Sequence, residues 1–187
     1  IEGYISKGRF ALTDLLATDA MKLIYDNLET AVQEPHNKKA RENMSLGQYL
    51  AGLSFGSSGL GLVHAMAHQL GAGYHLAHGL CNAILLPVVM EYDLAYCPRE
   101  LAEIARLLNP DECVKKSDEE CAAYAVKIIN ELSDKVGTKI WLEDLGVKED
   151  DLPYLAERSL GDGCILTAPQ IPEKEEIIKL FKKVMRS

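Results

Sequence analysis

The chain has 187 residues, 48% hydrophobic and 26% charged, the balance of a soluble globular protein long enough for one domain with its own core. Twenty Lys and Arg against 28 Asp and Glu leave a net charge of −8 with no clustered cations, which argues against nucleic-acid binding. The five cysteines (Cys81, Cys97, Cys113, Cys121 and Cys164) are odd in number and form no CxxC pair, so free thiols in a reducing cytoplasm are expected rather than a disulfide framework or a zinc finger.

Helical periodicity runs through the chain. Ile1-Glu2-Gly3-Tyr4 reads as the middle of a helix with no cap before it, the mark of a fragment or a processed product. From Thr13, taken as an N-cap, Leu15, Leu16, Ala20, Met21, Leu23, Ile24 and Leu28 recur at the three-and-four spacing of an amphipathic helix. Pro35-His36-Asn37 predicts a turn, and a second helix follows from Lys38 to Phe55, ended by Gly56-Ser57-Ser58-Gly59. A helix carrying His64 and His68 comes next, broken at Gly71-Ala72-Gly73. Leu80 to Leu94 predicts a buried helix with Pro87 either kinking it or marking its first turn. Pro98–Leu108, Ser117–Val136, Leu152–Leu160 and Pro172–Met185 each suit one helix, with a capping box at Ser117 and Pro172 in a first turn. Strand alternation is missing, so the fold class is all-α, a helical bundle over residues 1–187.

Four of the five histidines, His64, His68, His75 and His78, fall in one short stretch. That stretch lies within Asn43–Met90, which contains no Asp, Glu, Lys or Arg. Gly, Ser, Gln, Asn and His interrupt it before about 18 apolar residues accumulate, so it predicts no membrane span. Histidines in apolar surroundings need partners, and a metal or substrate site supplies them. Spacing alone nominates His64 and His68, one helical turn apart on one face, as a chelating pair. Ala65 stands where the general base of an HExxH metalloprotease would be, and the stretch has no Asp or Glu to complete a coordination shell; Cys81, three residues after His78, sits in an apolar run where a thiol is usually inert. No dinucleotide fingerprint or phosphate loop occurs. Gly56-Ser57-Ser58-Gly59-Leu60-Gly61 reads as a helix–helix connection.

Gly59-Leu60-Gly61-Leu62-Val63-His64-Ala65-Met66-Ala67-His68-Gln69-Leu70-Gly71, followed by His78-Gly79 and Asn82-Ala83-Ile84-Leu85-Leu86-Pro87, resembles the long signature of the iron-containing (group III) alcohol dehydrogenases. Ile1-Glu2-Gly3-Tyr4-Ile5-Ser6, Ala11-Leu12-Thr13-Asp14 and Leu46-Gly47-Gln48-Tyr49 extend the likeness, which is similar to the lactaldehyde reductase (1,2-propanediol oxidoreductase) branch and is strongest over residues 1–110. The resemblance implies the helical, metal-binding C-terminal domain of a two-domain, dehydroquinate synthase-like fold whose N-terminal domain holds NAD(P). It implies Fe(II), with Zn(II) as a competitor, and interconversion of small alcohols or diols with aldehydes in a cytoplasmic homo-oligomer.

In that family an Asp-x-x-x-His pair directly precedes the Ile-Glu-Gly-Tyr segment and supplies two ligands. The resemblance makes His64 and His78 the remaining two and places His68 beside nicotinamide and substrate, as a proton carrier. This replaces the His64/His68 chelate that spacing nominates. No cofactor-binding residue is expected in this chain, and His75 matches no ligand position. Two departures stand out: Ala77 in place of a common Pro, and Thr167-Ala168-Pro169-Gln170 in place of a common Asn-Pro-Arg. A helical binding or regulatory module that kept the fold without catalysis is the competing expectation. The chain alone is expected to fold yet be inactive.

Overall fold

The computed structural model describes residues 1–186, and among these there is no strand. Ten helices follow one another: α1 (Glu2–Ile5), α2 (Ala11–Gln33), α3 (Lys38–Ser58), α4 (Leu62–Tyr74), α5 (His78–Asp93), α6 (Pro98–Leu108), α7 (Pro110–Cys113), α8 (Asp118–Lys135), α9 (Leu152–Leu160) and α10 (Lys174–Lys183). Three 3-10 turns, Leu142–Leu145, Glu149–Asp151 and Gly163–Thr167, fill the later connections. No single helix among the described residues is long and apolar enough to cross a membrane.

Helices α2 and α3 form an antiparallel hairpin. Gly47 lets them approach closely: a Cβ there would lie 2.9 Å from Ile24 and 3.2 Å from Leu23. The Ser54 hydroxyl donates to the Thr13 carbonyl (2.8 Å) and Asn43 donates to Asn27 (3.0 Å), tying both ends. The core has two lobes. One joins α4, α5, α9 and α10 through Leu62, Met66, Leu70, Leu85, Leu155 and Phe181. The other packs α6 on α8 through small residues, among them Ala102, Ala105, Ala122 and Ala125, with Tyr4 and Met21 against them. Small side chains permit the close helix approach that ridge-into-groove packing needs.

Several local expectations are corrected. Thr13 is not the N-cap: α2 starts two residues earlier, and the Thr13 hydroxyl accepts the Phe10 N–H at 2.8 Å from the third helical position. Gly56-Ser57-Ser58 does not break α3, which ends only at Gly59, where φ reaches +78°. Gly71-Ala72-Gly73 likewise stays helical, and the chain reverses at His75, left-handed at φ 55°. Each glycine costs about 1 kcal/mol of propensity, which the buried neighbours in the same helices outweigh, Ser54 and Ser58 in α3 and Gln69 and Leu70 in α4. Pro87 lies inside α5 and not in its first turn, and Pro172 lies just before α10, whose cap is Glu173. The Ser117 capping box is present, with Glu120 N–H bound by the Ser117 hydroxyl and Ser117 N–H by the Glu120 carboxylate.

Candidate metal centre

Three imidazoles converge where α4 and α5 meet. His64 sits in the first turn of α4 and His68 one turn on, with ring centroids 6.0 Å apart. The left-handed turn at His75 sends the chain back, so that His78, the first residue of α5, lies 5.3 Å from His64 and 5.4 Å from His68, centroid to centroid. His75 itself is exposed and outside the cluster. Of the four histidines singled out by sequence, three are brought together and one is not.

The carboxylates that seemed to be missing come from far along the chain. Glu2, buried in α1, accepts the N–H of Val63 (2.7 Å) and of His64 (3.2 Å), and also the His64 Nδ1 hydrogen (2.5 Å). It thereby caps α4, whose own N-cap, Gly61, has no side chain to do so. The absence of a side chain at Gly61 is what admits Glu2, because a Cβ there would lie 2.7 Å from Glu2 Oε1. A carboxylate on Nδ1 fixes the tautomer and leaves Nε2 as the lone-pair nitrogen, the arrangement that commonly stands behind a metal-ligating histidine. Asp162 does the same for His68, with Oδ2 at 2.9 Å from Nδ1. Neither acid was singled out from sequence as part of the site. Glu2 lay inside an apolar helical run and Asp162 in an Asp-Gly turn, and nothing local ties either to a histidine 62 or 94 positions away.

Electrostatics suit imidazole ligation. Burial, then the neighbouring His64 and His68, push the His78 imidazole below its ordinary 6.5, which favours the neutral, ligating form. Burial pushes the Cys81 thiol up, and this buried residue has no thiolate to offer. The Asn82 amide nitrogen packs 3.1 Å from His78 Nε2, and its buried oxygen has no protein partner. Nitrogen donors with no thiolate, and an orphaned polar atom beside them, fit a divalent first-row cation held in part by this chain. Next to His64 an apolar cleft of about 510 Å³ opens between the α2–α3 hairpin and α5 and α8, lined by Ile1, Ile24, Leu28, Phe55, Leu86 and Ile129 among others.

The domain is all-helical, and three imidazoles meet where α4 and α5 join, one of them backed by a carboxylate that also caps its helix. The model of the Fe-containing alcohol dehydrogenase family, C-terminal, matches residues 1–185, and the chain belongs to that family. It is 43% identical over 183 residues to the 1,3-propanediol dehydrogenase of Klebsiella pneumoniae, covering 98% of this chain and 47% of that protein. It is 42% identical over 181 residues to the lactaldehyde reductase of Escherichia coli, covering 97% and 47%. A solved 1,3-propanediol oxidoreductase structure superposes with a TM-score of 0.95 at 42% identity, over 98% of this chain and 48% of that one. The chain thus spans about half the length of these relatives and matches their C-terminal half. The near-equal identities do not separate the propanediol and lactaldehyde branches.

Proposed function

We propose that the protein carrying this chain is a metal-dependent, NAD(P)-linked alcohol dehydrogenase that interconverts small alcohols or diols with aldehydes. Residues 1–187 form its helical metal-binding domain. The convergence of His64, His68 and His78, with ring centroids 5.3–6.0 Å apart, carries this reading. His64 and His78 would hold the ion, Fe(II) with Zn(II) in competition, and the remaining ligands would come from the rest of the longer protein. In support, Ile1, Glu2 and Gly3 line the apolar cleft beside His64.

When bound, the ion supplies Lewis-acid polarisation of the substrate oxygen. The chain's own residues do the rest. Glu2 holds His64 with Nε2 presented, the apolar walls from Phe55 to Leu86 limit water, and His68 carries the hydroxyl proton towards solvent. A nicotinamide held by the N-terminal domain of the longer protein would supply the hydride chemistry. The names of the relatives, 1,3-propanediol dehydrogenase and lactaldehyde reductase, support three-carbon diols and hydroxyaldehydes as substrates. Exposed apolar side chains on α2 and α3, such as Leu15, Tyr49 and Leu53, suit burial against the other domain or a second copy, and the five free thiols suit the cytoplasm.

The test is turnover of 1,2- and 1,3-propanediol by the complete protein with NAD⁺ or NADP⁺, before and after chelation and after metal is restored. Turnover lost to chelator and recovered with Fe(II) is expected. Chelator-resistant turnover would remove the metal from the mechanism, and a complete lack of turnover would favour a non-catalytic module.

A further inference from the structure

We propose that Asp162 is a positioning residue, whose carboxylate holds His68 in the Nδ1–H tautomer so that Nε2 is free to take the proton of the substrate hydroxyl. The chemical consequence rests on the dehydrogenase reading, whereas the tautomer does not.

The geometry is that of a fixed acceptor. Asp162 caps the 3-10 turn Gly163–Thr167, its Oδ1 accepting the Cys164 N–H at 2.9 Å. Its Oδ2 lies 2.9 Å from His68 Nδ1 and 3.3 Å from Gln69 Nε2, which also donates to the Ala65 carbonyl at 3.1 Å. The turn is itself anchored at the base of α4. The Thr167 hydroxyl donates to the Leu60 carbonyl at 2.9 Å, and the Thr167 carbonyl accepts the Lys7 N–H at 2.9 Å. The carboxylate therefore cannot drift from the helix that carries its histidine.

Charge sets the tautomer. Burial pushes the Asp162 carboxyl up, but the Cys164 amide and His68 outweigh it, and the net direction is below 3.8. An ionised carboxylate only accepts, so the proton of the contact sits on Nδ1. Nε2, across the ring, has no hydrogen-bond partner among the described residues. The same device serves His64 through Glu2, so two successive turns of α4 present two imidazoles, each held from behind by a carboxylate.

A cation site is the competing explanation, since His68, Asp162 and Cys164 each offer a ligand atom within 4.8 Å of the others. Two facts favour the hydrogen-bonded pair. The Nδ1 contact is already made directly, and the other carboxylate oxygen, Oδ1, already accepts the Cys164 N–H. In alcohol oxidation the C–H hydride goes to oxidised nicotinamide and the O–H proton to His68 Nε2. Asp162 stabilises the resulting imidazolium until the proton leaves to solvent.

The test uses the complete protein labelled with ¹⁵N-histidine, with His68→Ala identifying the signal. Long-range ¹H–¹⁵N spectra above pH 8 report which ring nitrogen is protonated. Nδ1–H is expected in the wild type. In Asp162→Asn the amide oxygen can still cap Cys164 while its NH₂ faces His68, so Nε2–H is expected. Asp162→Ala removes the preference. In the same proteins Asp162→Asn should lower kcat for alcohol oxidation about 10²-fold with KM within about threefold and metal content unchanged. In a His68→Ala background it should do nothing further. An Nε2–H wild type, an undiminished effect in that background, or loss of one bound metal per chain in Asp162→Asn would each overturn the proposal. If the wild type turns over no alcohol, the dehydrogenase reading falls and the tautomer alone decides whether Asp162 holds His68.

Discussion

Asp93, at the end of α5, is a buried carboxyl whose Oδ1 has no partner. Burial, and then the nearby negative charge of Glu2, push it up to about 7 from 3.8. The group therefore binds its proton more tightly when folded. Its contribution to stability is complete below the unfolded value, near pH 4, and is lost as pH rises through about 7. At about 1.4 kcal/mol per pH unit, the rise makes ionised Asp93 destabilising by at most about 4 kcal/mol. Asp93→Asn keeps the shape and cannot ionise. Urea unfolding of both chains from pH 4 to pH 8 should show the variant gaining on the wild type by up to about 4 kcal/mol, mostly between pH 4 and 7. Other titrating groups cancel in the difference. A pH-independent difference, or one that shrinks towards pH 8, would refute the reasoning. Adding Glu2→Gln should move the window towards lower pH, since it removes the second cause.

Three further outcomes follow from the site. Glu2→Gln in the complete protein removes the carboxylate behind His64 and should weaken Fe(II) or Zn(II) affinity about 10–100-fold, measured by competition with a chelator. Gly61→Ala places a Cβ 2.7 Å from Glu2 Oε1; thermal unfolding should show a loss of about 1–3 kcal/mol, smaller in a Glu2→Ala background where the clash is gone. The 187-residue chain alone should fold yet hold metal weakly and turn over no alcohol, because His64 and His78 offer two bonds where a four-ligand site is expected; stoichiometric, tightly held iron after purification would show the ligand assignment to be wrong.

The helices were legible because they depend on local periodicity: α6, α8 and α9 fall close to where apolar spacing and caps put them, and α2 follows its apolar spacing though not its expected cap. Gly56 and Gly71 do not end their helices, because buried residues on either side of them hold α3 and α4 in place, and the reversal lies at a non-glycine residue, His75. Three of the clustered histidines could be found for the same local reason. Glu2 and Asp162 could not, because what brings them to His64 and His68 is the packing of α1 on α2 and α3 and of the 163–167 turn on α4. The only sequence trace of Glu2's role is Gly61, a helix N-cap without a side chain, which leaves two amides for another group to satisfy.

This division between local and distant residues bears on how the site depends on the fold. The stretch 43–90 has no charged side chain, so it can be packed without ion pairs, but it cannot set the state of its own histidines. The two carboxylates are lent by segments that dock only when the chain is folded. Glu2 comes through α1 and Asp162 through a turn pinned by Thr167 against Gly59, where a Cβ would sit 2.5 Å from the Thr167 hydroxyl. In surroundings of low dielectric each contact is stronger than it would be in water, and an unpaired partner costs more. Orientation of the imidazoles and closure of the bundle are therefore one equilibrium. A change that loosens α1 or the 163–167 turn should disorder His64 or His68 before it unfolds the core that Met66, Leu70 and Phe181 form in the same helix and its neighbours.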